Sequence, residues 1–128
     1  MANGPEKAAF WRDFVMARCG FPNPARLAEQ FDGAEFSDFC ACGCNSFSVK
    51  TQPGVQPLMR KPRGGGLLLS ADFALGPARQ LEIILFADGS GNLARIDVMC
   101  NANSEPVPDV VVTGFEPFHV STSKNLIV

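Results

Sequence analysis

The chain has few of the side chains that usually carry out acid–base or nucleophilic chemistry. It contains a single histidine, His119, and no tyrosine among 128 residues. A cysteine nucleophile needs a nearby base to become a thiolate, and His119 is the only histidine that could supply one. No hydrolase signature surrounds the cysteines, and the thioredoxin-type spacing of two intervening residues is absent. The sequence therefore favours a protein that is not an enzyme.

The chain also lacks the features of secreted and membrane-spanning proteins. Residues 1–12 have no apolar run after a basic start, and no stretch approaches the roughly 20 apolar residues of a membrane span. The net charge of −2 gives no general attraction to nucleic acid or to a membrane surface. The odd number of cysteines, five, fits free thiols rather than a closed disulfide framework. We expect a cytoplasmic protein with reduced thiols.

Composition and periodicity predict one α+β domain over residues 1–128. The hydrophobic content of 46% suits a single core, large enough to stand without disulfides. Two N-terminal helices are expected. Asn3 caps the first, over residues 3–20, while Asn23 and Pro24 begin the second, which stops at Gly33.

An antiparallel sheet of about four to five strands should pack against these helices. Alternating apolar residues predict strands over residues 47–50, 67–75, 81–85 and 93–100, and a short edge strand over 110–113. Residues 39–45 are either an extended strand or a segment that bends at Gly43. Asp88-Gly89-Ser90-Gly91-Asn92 is a strong hairpin turn between two of them. Residues 52–66, rich in proline and glycine, are predicted to form an exposed loop, and residues 121–128 a frayed tail.

The most unusual feature is Cys40-Ala41-Cys42-Gly43-Cys44, which places three thiols on one face if the chain is extended. Zinc requires sulfurs about 2.3 Å from one centre, so the three thiols can share an ion only if the chain bends. Gly43 is the residue that bends most easily. Cys100 and His119 are candidates to complete such a site. The alternative is that the cysteines are small apolar side chains packed in a strand, with no cofactor.

A second candidate site is the basic run around Arg60, Lys61 and Arg63, in a segment that contains no acidic residue. Basic residues beside glycines suggest phosphate binding, but the Walker pattern and its following helix are missing. We expect this loop, or the acidic hairpin face near Asp88 and Asp97, to bind a protein partner.

Four phenylalanines lie in short irregular segments. They are Phe36, Phe39, Phe115 and Phe118, and the chain has eleven phenylalanines in all. Rings without hydroxyl groups suit dry packing, in the core or at a subunit contact such as a homodimer interface. Core burial is the favoured interpretation, since phenylalanine is often fully buried.

Over residues 24–110 the chain resembles a group of small uncharacterised bacterial proteins. The resemblance rests on Cys42-Gly43-Cys44 followed by Ser46-Phe47-Ser48-Val49, and on the hairpin that contains Asp88-Gly89 and later Asp97-Val98. Some small bacterial α+β proteins of this build are immunity proteins that block a toxin. We therefore expect a non-enzymatic interaction module, immunity-like or regulatory, and keep a metal- or thiol-dependent protein as the alternative.

Overall fold

Two helices and one antiparallel sheet make up the fold in a computed structural model, which describes residues 2–60, 66–111 and 113–127. The elements are α1 (Pro5–Arg18), α2 (Pro24–Phe31), β1 (Glu35–Ser37), β2 (Phe47–Lys50), β3 (Gly66–Ala74), β4 (Gln80–Ala87), β5 (Leu93–Cys100) and β6 (His119–Thr122). The strand order is β1-β2-β5-β4-β3-β6. The predicted α+β class is confirmed, with six strands rather than four to five. Within the described residues, neither helix is both long enough and apolar enough to cross a bilayer.

Helix α1 forms as predicted, but its cap differs from the expectation. Gly4 occupies the N-cap position without a side-chain hydrogen bond, and Pro5 supplies a fixed backbone angle in the first turn. The side chain of Asn3 turns away from the helix and bonds to a distant loop instead. Trp11 and Phe14 enter the core, whereas Phe10 remains 49% exposed. The core-facing side of α1 therefore includes Trp11 and Phe14 but not Phe10.

Helix α2 matches its prediction closely. The Asn23 side chain accepts a hydrogen bond from the backbone N–H of Arg26, and Pro24 begins the helix. Leu27 and Phe31 are buried in the core. Short-range signals suffice here because capping and helical spacing involve neighbours in sequence.

The hairpin between β4 and β5 is also confirmed. Asp88 Oδ1 accepts hydrogen bonds from the backbone N–H groups of Ser90 (2.9 Å) and Asn92 (3.1 Å). Alternate residues on both strands then enter the core; they include Leu81, Ile83, Leu85, Ile96, Val98 and Cys100. The hairpin forms the centre of the sheet and supplies much of the core.

Part of the predicted exposed loop over residues 52–66 packs against the core. Leu58 and Met59 are buried, and the Leu58 N–H donates to Gly91 O at 2.8 Å, so residues 52–60 are not simply an exposed loop. Residues 61–65 of the predicted loop lie outside the described residues.

The C-terminal segment is not frayed over its described part. β6 pairs with β3, and the Ser123 N–H donates to Leu68 O at 3.0 Å. Further along, the Ile127 N–H donates to Leu58 O at 2.9 Å. The expected edge strand at 110–113 is wrong, because residues 110, 111 and 113 belong to no strand.

Gln30 joins α2 to the segment at residues 56–58 and to the hairpin. Its side chain is fully buried, donates to Gln56 O (2.7 Å) and Asn92 Oδ1 (3.0 Å), and accepts from the Leu93 N–H (2.8 Å). Replacing Gln30 with methionine would keep the volume but remove all of these bonds.

We expect Gln30→Met to lower the free energy of unfolding by about 2–4 kcal/mol, since a buried N–H and buried oxygens lose their partners. Urea denaturation would measure this change. Gln52→Met is the matched control, because Gln52 is exposed and its side chain donates to Gly33 O. Equal losses in the two variants would contradict the role given to Gln30.

Candidate functional site

The cysteine cluster lies in the loop between β1 and β2, at residues 38–46. Of the two alternatives for residues 39–45, an extended strand or a bend at Gly43, the structure has the bend, and no strand includes Cys42-Gly43-Cys44. Asp38 has a φ of 51°, which turns the chain out of β1, and Gly43 has a φ of 104°, a conformation that glycine adopts at least cost. The bend falls at Gly43, the residue from which sequence reasoning expected it.

The bend brings the three thiols together. The Sγ atoms of Cys40, Cys42 and Cys44 all lie within 4.8 Å of one another, and the Sγ atoms of Cys42 and Cys44 are 3.1 Å apart. Cys42 is exposed, Cys40 is half-buried, and Cys44 is only 4% exposed. All five cysteines of the chain are free thiols. The cluster therefore extends from the surface to the edge of the core.

Hydrogen bonds from distant parts of the chain hold the loop in this shape. The Asn3 side-chain amide donates to Cys40 O (3.2 Å) and to Ser46 O (2.8 Å), and so bridges the two sides of the loop. The Val107 N–H donates to Gly43 O at 3.0 Å, which fixes the bend itself. These bonds limit the freedom of the thiols before any ligand arrives.

The base of the loop is attached to β5 and to α1. The Asn45 N–H donates to Val98 O (2.9 Å), and Ser46 Oγ accepts from the Val98 N–H (3.1 Å). With its amide oriented to satisfy both ends, Asn45 also accepts from Trp11 Nε1 at 3.1 Å. The cluster thus sits on rigid elements, although it is itself part of a loop.

The thiols differ in their ease of deprotonation. Hydrogen bonds from the Cys40 thiol, from the Cys44 backbone and from the Cys44 thiol lower the pKa of Cys42 from 9.0 to about 6. Donation to Cys42 and Cys44 raises the pKa of Cys40 to about 11. Cys42 is therefore the thiol that ionises at lower pH, and Cys40 the one that keeps its proton to higher pH.

This difference predicts the pH profile of alkylation in metal-free, reduced protein. Iodoacetamide should modify Cys42 at half its limiting rate near pH 6, and the rate should fall below that pH as the thiolate is protonated. Removing the first donor with Cys40→Ala should move the midpoint up toward 9.0. Mass spectrometry of the labelled peptide measures both profiles. A midpoint near 9.0 in the unaltered protein would contradict this assignment.

The other two candidate ligands do not join the cluster. Cys100 lies on β5 with a fully buried side chain, and burial raises the pKa of its thiol. His119 begins β6, where its Nδ1 is 3.4 Å from Asp72 Oδ2. Three strand spacings, roughly 14 Å, separate β6 from β5, to which the base of the loop is bonded. Among the described residues, the only group of three or more soft or acidic ligands within 4.8 Å of one another is Cys40, Cys42 and Cys44.

The predicted partner-binding residues are described only in part. Arg60 is exposed, with its N–H bonded to Asn125 O, whereas Lys61 and Arg63 lie outside the described residues. On the hairpin, Asp88 is used by the turn, and Asp97 forms an ion pair with Arg95 at 2.7 Å. The acidic hairpin face is therefore partly neutralised.

Two residues near the cluster were not identified from the sequence. Asn3 was assigned to the helix cap, although it holds the cysteine loop. The side-chain amide of Asn103 lies 4.0 Å from Cys42 Sγ. No local signal predicts either contact, because both join residues far apart in sequence.

A cavity of about 510 Å³ opens beside the cluster. Its lining includes Asn3, Lys7, Phe39, Cys40 and Cys44. The ammonium of Lys7 forms an ion pair with Asp109 at 3.1 Å at the edge of this cavity. Cys40 and Cys44 therefore border this cavity, whereas Cys42, which is exposed, does not line it.

No protein-family model matches this chain, and no curated protein or solved structure is significantly similar to it. The resemblance to small bacterial proteins with a Cys-Gly-Cys segment accordingly stays a prediction.

Proposed function

We propose that the protein binds one zinc ion through the thiolates of Cys40, Cys42 and Cys44. The observation that carries the proposal is the approach of their three Sγ atoms to within 4.8 Å of one another. Sulfurs bound 2.3 Å from a tetrahedral zinc stand roughly 3.8 Å apart. Small side-chain rotations would bring the cluster to that geometry, with no change in the course of the backbone.

The chemistry of the donors suits zinc. Three thiolates form a soft, anionic ligand set, which favours zinc over magnesium or calcium. Each thiol must lose its proton to become a ligand, so binding releases protons and weakens as the pH falls. Five free thiols fit a reducing compartment such as the cytoplasm, where such a site keeps its ligands.

The fourth position of the proposed ion falls to water or to a donor from another molecule. Cys42 is exposed, so this side of the ion faces outward. Zinc sites with three protein ligands exchange their fourth ligand, in contrast to closed structural sites. The proposed zinc ion therefore has an exchangeable fourth ligand and is not a closed structural site.

Competition with a chromophoric zinc chelator tests this function. Reduced protein should remove one equivalent of zinc from the chelator, and the Cys42→Ser/Cys44→Ser double variant should remove none. Cys19→Ala/Cys100→Ala is the matched control, because it removes two buried thiols outside the cluster. Failure of the unaltered protein to compete, or full competition by the serine variant, would refute the proposal.

A second candidate function is the non-enzymatic interaction module, immunity-like or regulatory. The observation that favours it is the exposure of Phe115 (69%) and Phe118 (61%), which were expected in the core. Phe36 and Phe39, in contrast, pack against the core as predicted. Exposed aromatic rings are enriched at protein interfaces. We propose that these two rings contact a protein partner.

A photoreactive phenylalanine analogue at position 118 tests this second candidate in cells. An adduct with one defined protein, reduced by Phe115→Ser, supports the module, whereas an adduct only with a second copy of the chain indicates a homodimer instead. No adduct at any expression level would refute a partner at this surface. The same crosslinking experiment with Arg60→Glu tests the basic loop, because a weaker adduct would show that Arg60 contributes to partner binding.

A further inference from the structure

Cys42 and Cys44 are closer to each other than metal binding requires. Their Sγ atoms are 3.1 Å apart, and only Gly43 separates the two residues. The φ of 104° at Gly43 folds the chain back, so side chains that would be parallel on a strand converge. A disulfide bond measures about 2.05 Å between sulfurs, so a closure of roughly 1 Å would join them.

The two thiols differ in their access to solvent. Cys42 is exposed and Cys44 is 4% exposed, so a dissolved oxidant meets Cys42 first. The buried Cys44 sulfur lies 3.1 Å from the Cys42 sulfur, close enough to react with a group that forms on Cys42. Redox-active cysteines commonly pair an accessible thiol with a nearby resolving thiol. Cys19 and Cys100, by comparison, are both fully buried in the core.

The geometry points to a hydroperoxide-reducing thiol pair, in which Cys42 reacts with the peroxide and Cys44 resolves the product. The Cys42 sulfur attacks the outer oxygen, a sulfur–oxygen bond forms, and the oxygen–oxygen bond breaks. The leaving oxygen takes up from solvent the proton that Cys42 released on ionisation, and departs as an alcohol or as water. The product at Cys42 is a sulfenic acid.

Cys44 then attacks the sulfenic sulfur. The sulfur–sulfur bond forms, the sulfur–oxygen bond breaks, and the hydroxyl leaves as water with the proton of the Cys44 thiol. In sum, two thiols and one hydroperoxide give one disulfide, one alcohol and one water. The oxidant gains the two electrons that the two sulfurs lose.

The bends and bonds that hold the loop also favour this ring closure. The Val107 N–H fixes Gly43 O, and a Cβ at position 43 would lie 3.3 Å from Pro106 Cβ, so the turn is confined from outside. Because the turn is confined, the two sulfurs stay close together, which raises the rate at which Cys44 attacks the sulfenic acid of Cys42. The reaction uses sulfurs of the proposed zinc site but needs no metal. Bound zinc would occupy the same sulfurs and block it.

Treatment of metal-free, reduced protein with one equivalent of hydrogen peroxide tests the inference. We expect the intact mass to fall by two hydrogens, the free thiols to fall from five to three, and the peptide map to join Cys42 to Cys44. Cys44→Ser should stop at the sulfenic acid, which dimedone labels at Cys42. Cys42→Ser should consume peroxide at least about 10-fold more slowly, because the accessible thiol is missing.

Cys100→Ser is the matched control and should react like the unaltered protein. Because Cys42 is exposed, Cys42→Ser should have the same melting temperature as the unaltered protein, and a thermal scan would check this. Equal peroxide consumption by Cys42→Ser, or a disulfide that includes Cys40, would overturn the inference. This experiment measures thiol oxidation in metal-free protein, whereas the zinc proposal is tested by competition with a chelator. Either proposal can therefore be refuted while the other stands.

Discussion

Zinc affinity should fall by at least about 100-fold when Cys42 or Cys44 is replaced by serine. Binding free energies of structural zinc sites are about 10–16 kcal/mol for four ligands, so one thiolate contributes about 3 kcal/mol or more. At 1.4 kcal/mol per factor of ten, that loss corresponds to about two orders of magnitude. Cys40→Ser should have a similar effect, since Cys40 belongs to the same group.

Cobalt substitution gives this prediction a second readout. The near-ultraviolet absorption of thiolate-to-cobalt charge transfer increases with the number of sulfur ligands, so each single variant should lose about a third of it. Cys100→Ser, which removes a buried thiol outside the group, should leave both the affinity and the absorption unchanged. A normal spectrum in all three cluster variants would contradict a three-thiolate site.

A loss of stability comparable to that of Gln30→Met is expected from Gly91→Ala. Gly91 has a φ of 83°, and an added Cβ would meet the carbonyl oxygen of Met59 well inside van der Waals contact. The obstructing atom is backbone, so a side-chain rotation cannot relieve the clash. Backbone strain and overpacking each cost about 1–3 kcal/mol, and we expect a total of about 3 kcal/mol.

Gly89→Ala is the matched control in the same turn. Nothing lies within 4 Å of a Cβ added at Gly89, and its backbone is not in the left-handed region. Its stability should therefore stay within about 0.5 kcal/mol of the unaltered protein. Urea denaturation of the two variants gives the comparison, and equal losses would show that the segment around Met59 does not pack on the hairpin.

Local sequence signals predicted the elements whose stabilising contacts are local. Helix α2 was identified by Asn23 and Pro24, which act within its first turn. The hairpin was identified by Asp88 and the residues after it, because the turn bonds to its own neighbours. Alternation of apolar residues then placed β4 and β5 correctly, since both strands have one face in the core.

The cysteine loop and the C-terminal segment depend on contacts that no local pattern encodes. The alternate spacing of the three cysteines imitates a strand, but Asn3 and Val107 bind the loop from 43 and 64 residues away. β6 forms by pairing with β3, far from it in the chain. Sequence reasoning could therefore name the three thiols and the hinge at Gly43, but not what holds them.

Composition did not predict that Phe115 and Phe118 are exposed. Phe115 lies over the guanidinium of Arg18, whose Cζ is 5.3 Å from the ring centroid and 4.5 Å from that of Phe14. Arg18 thus contacts both the exposed ring of Phe115 and the buried ring of Phe14. A cation–π contact of this kind depends on tertiary structure alone.

Native mass spectrometry of the protein, purified under reducing conditions from its own host, tests the central claim most directly. The native mass should exceed the denatured mass by one zinc ion, and the excess should disappear in the Cys42→Ser/Cys44→Ser variant. A bare native mass that stays bare after zinc is added would contradict the claim that Cys40, Cys42 and Cys44 form a metal site.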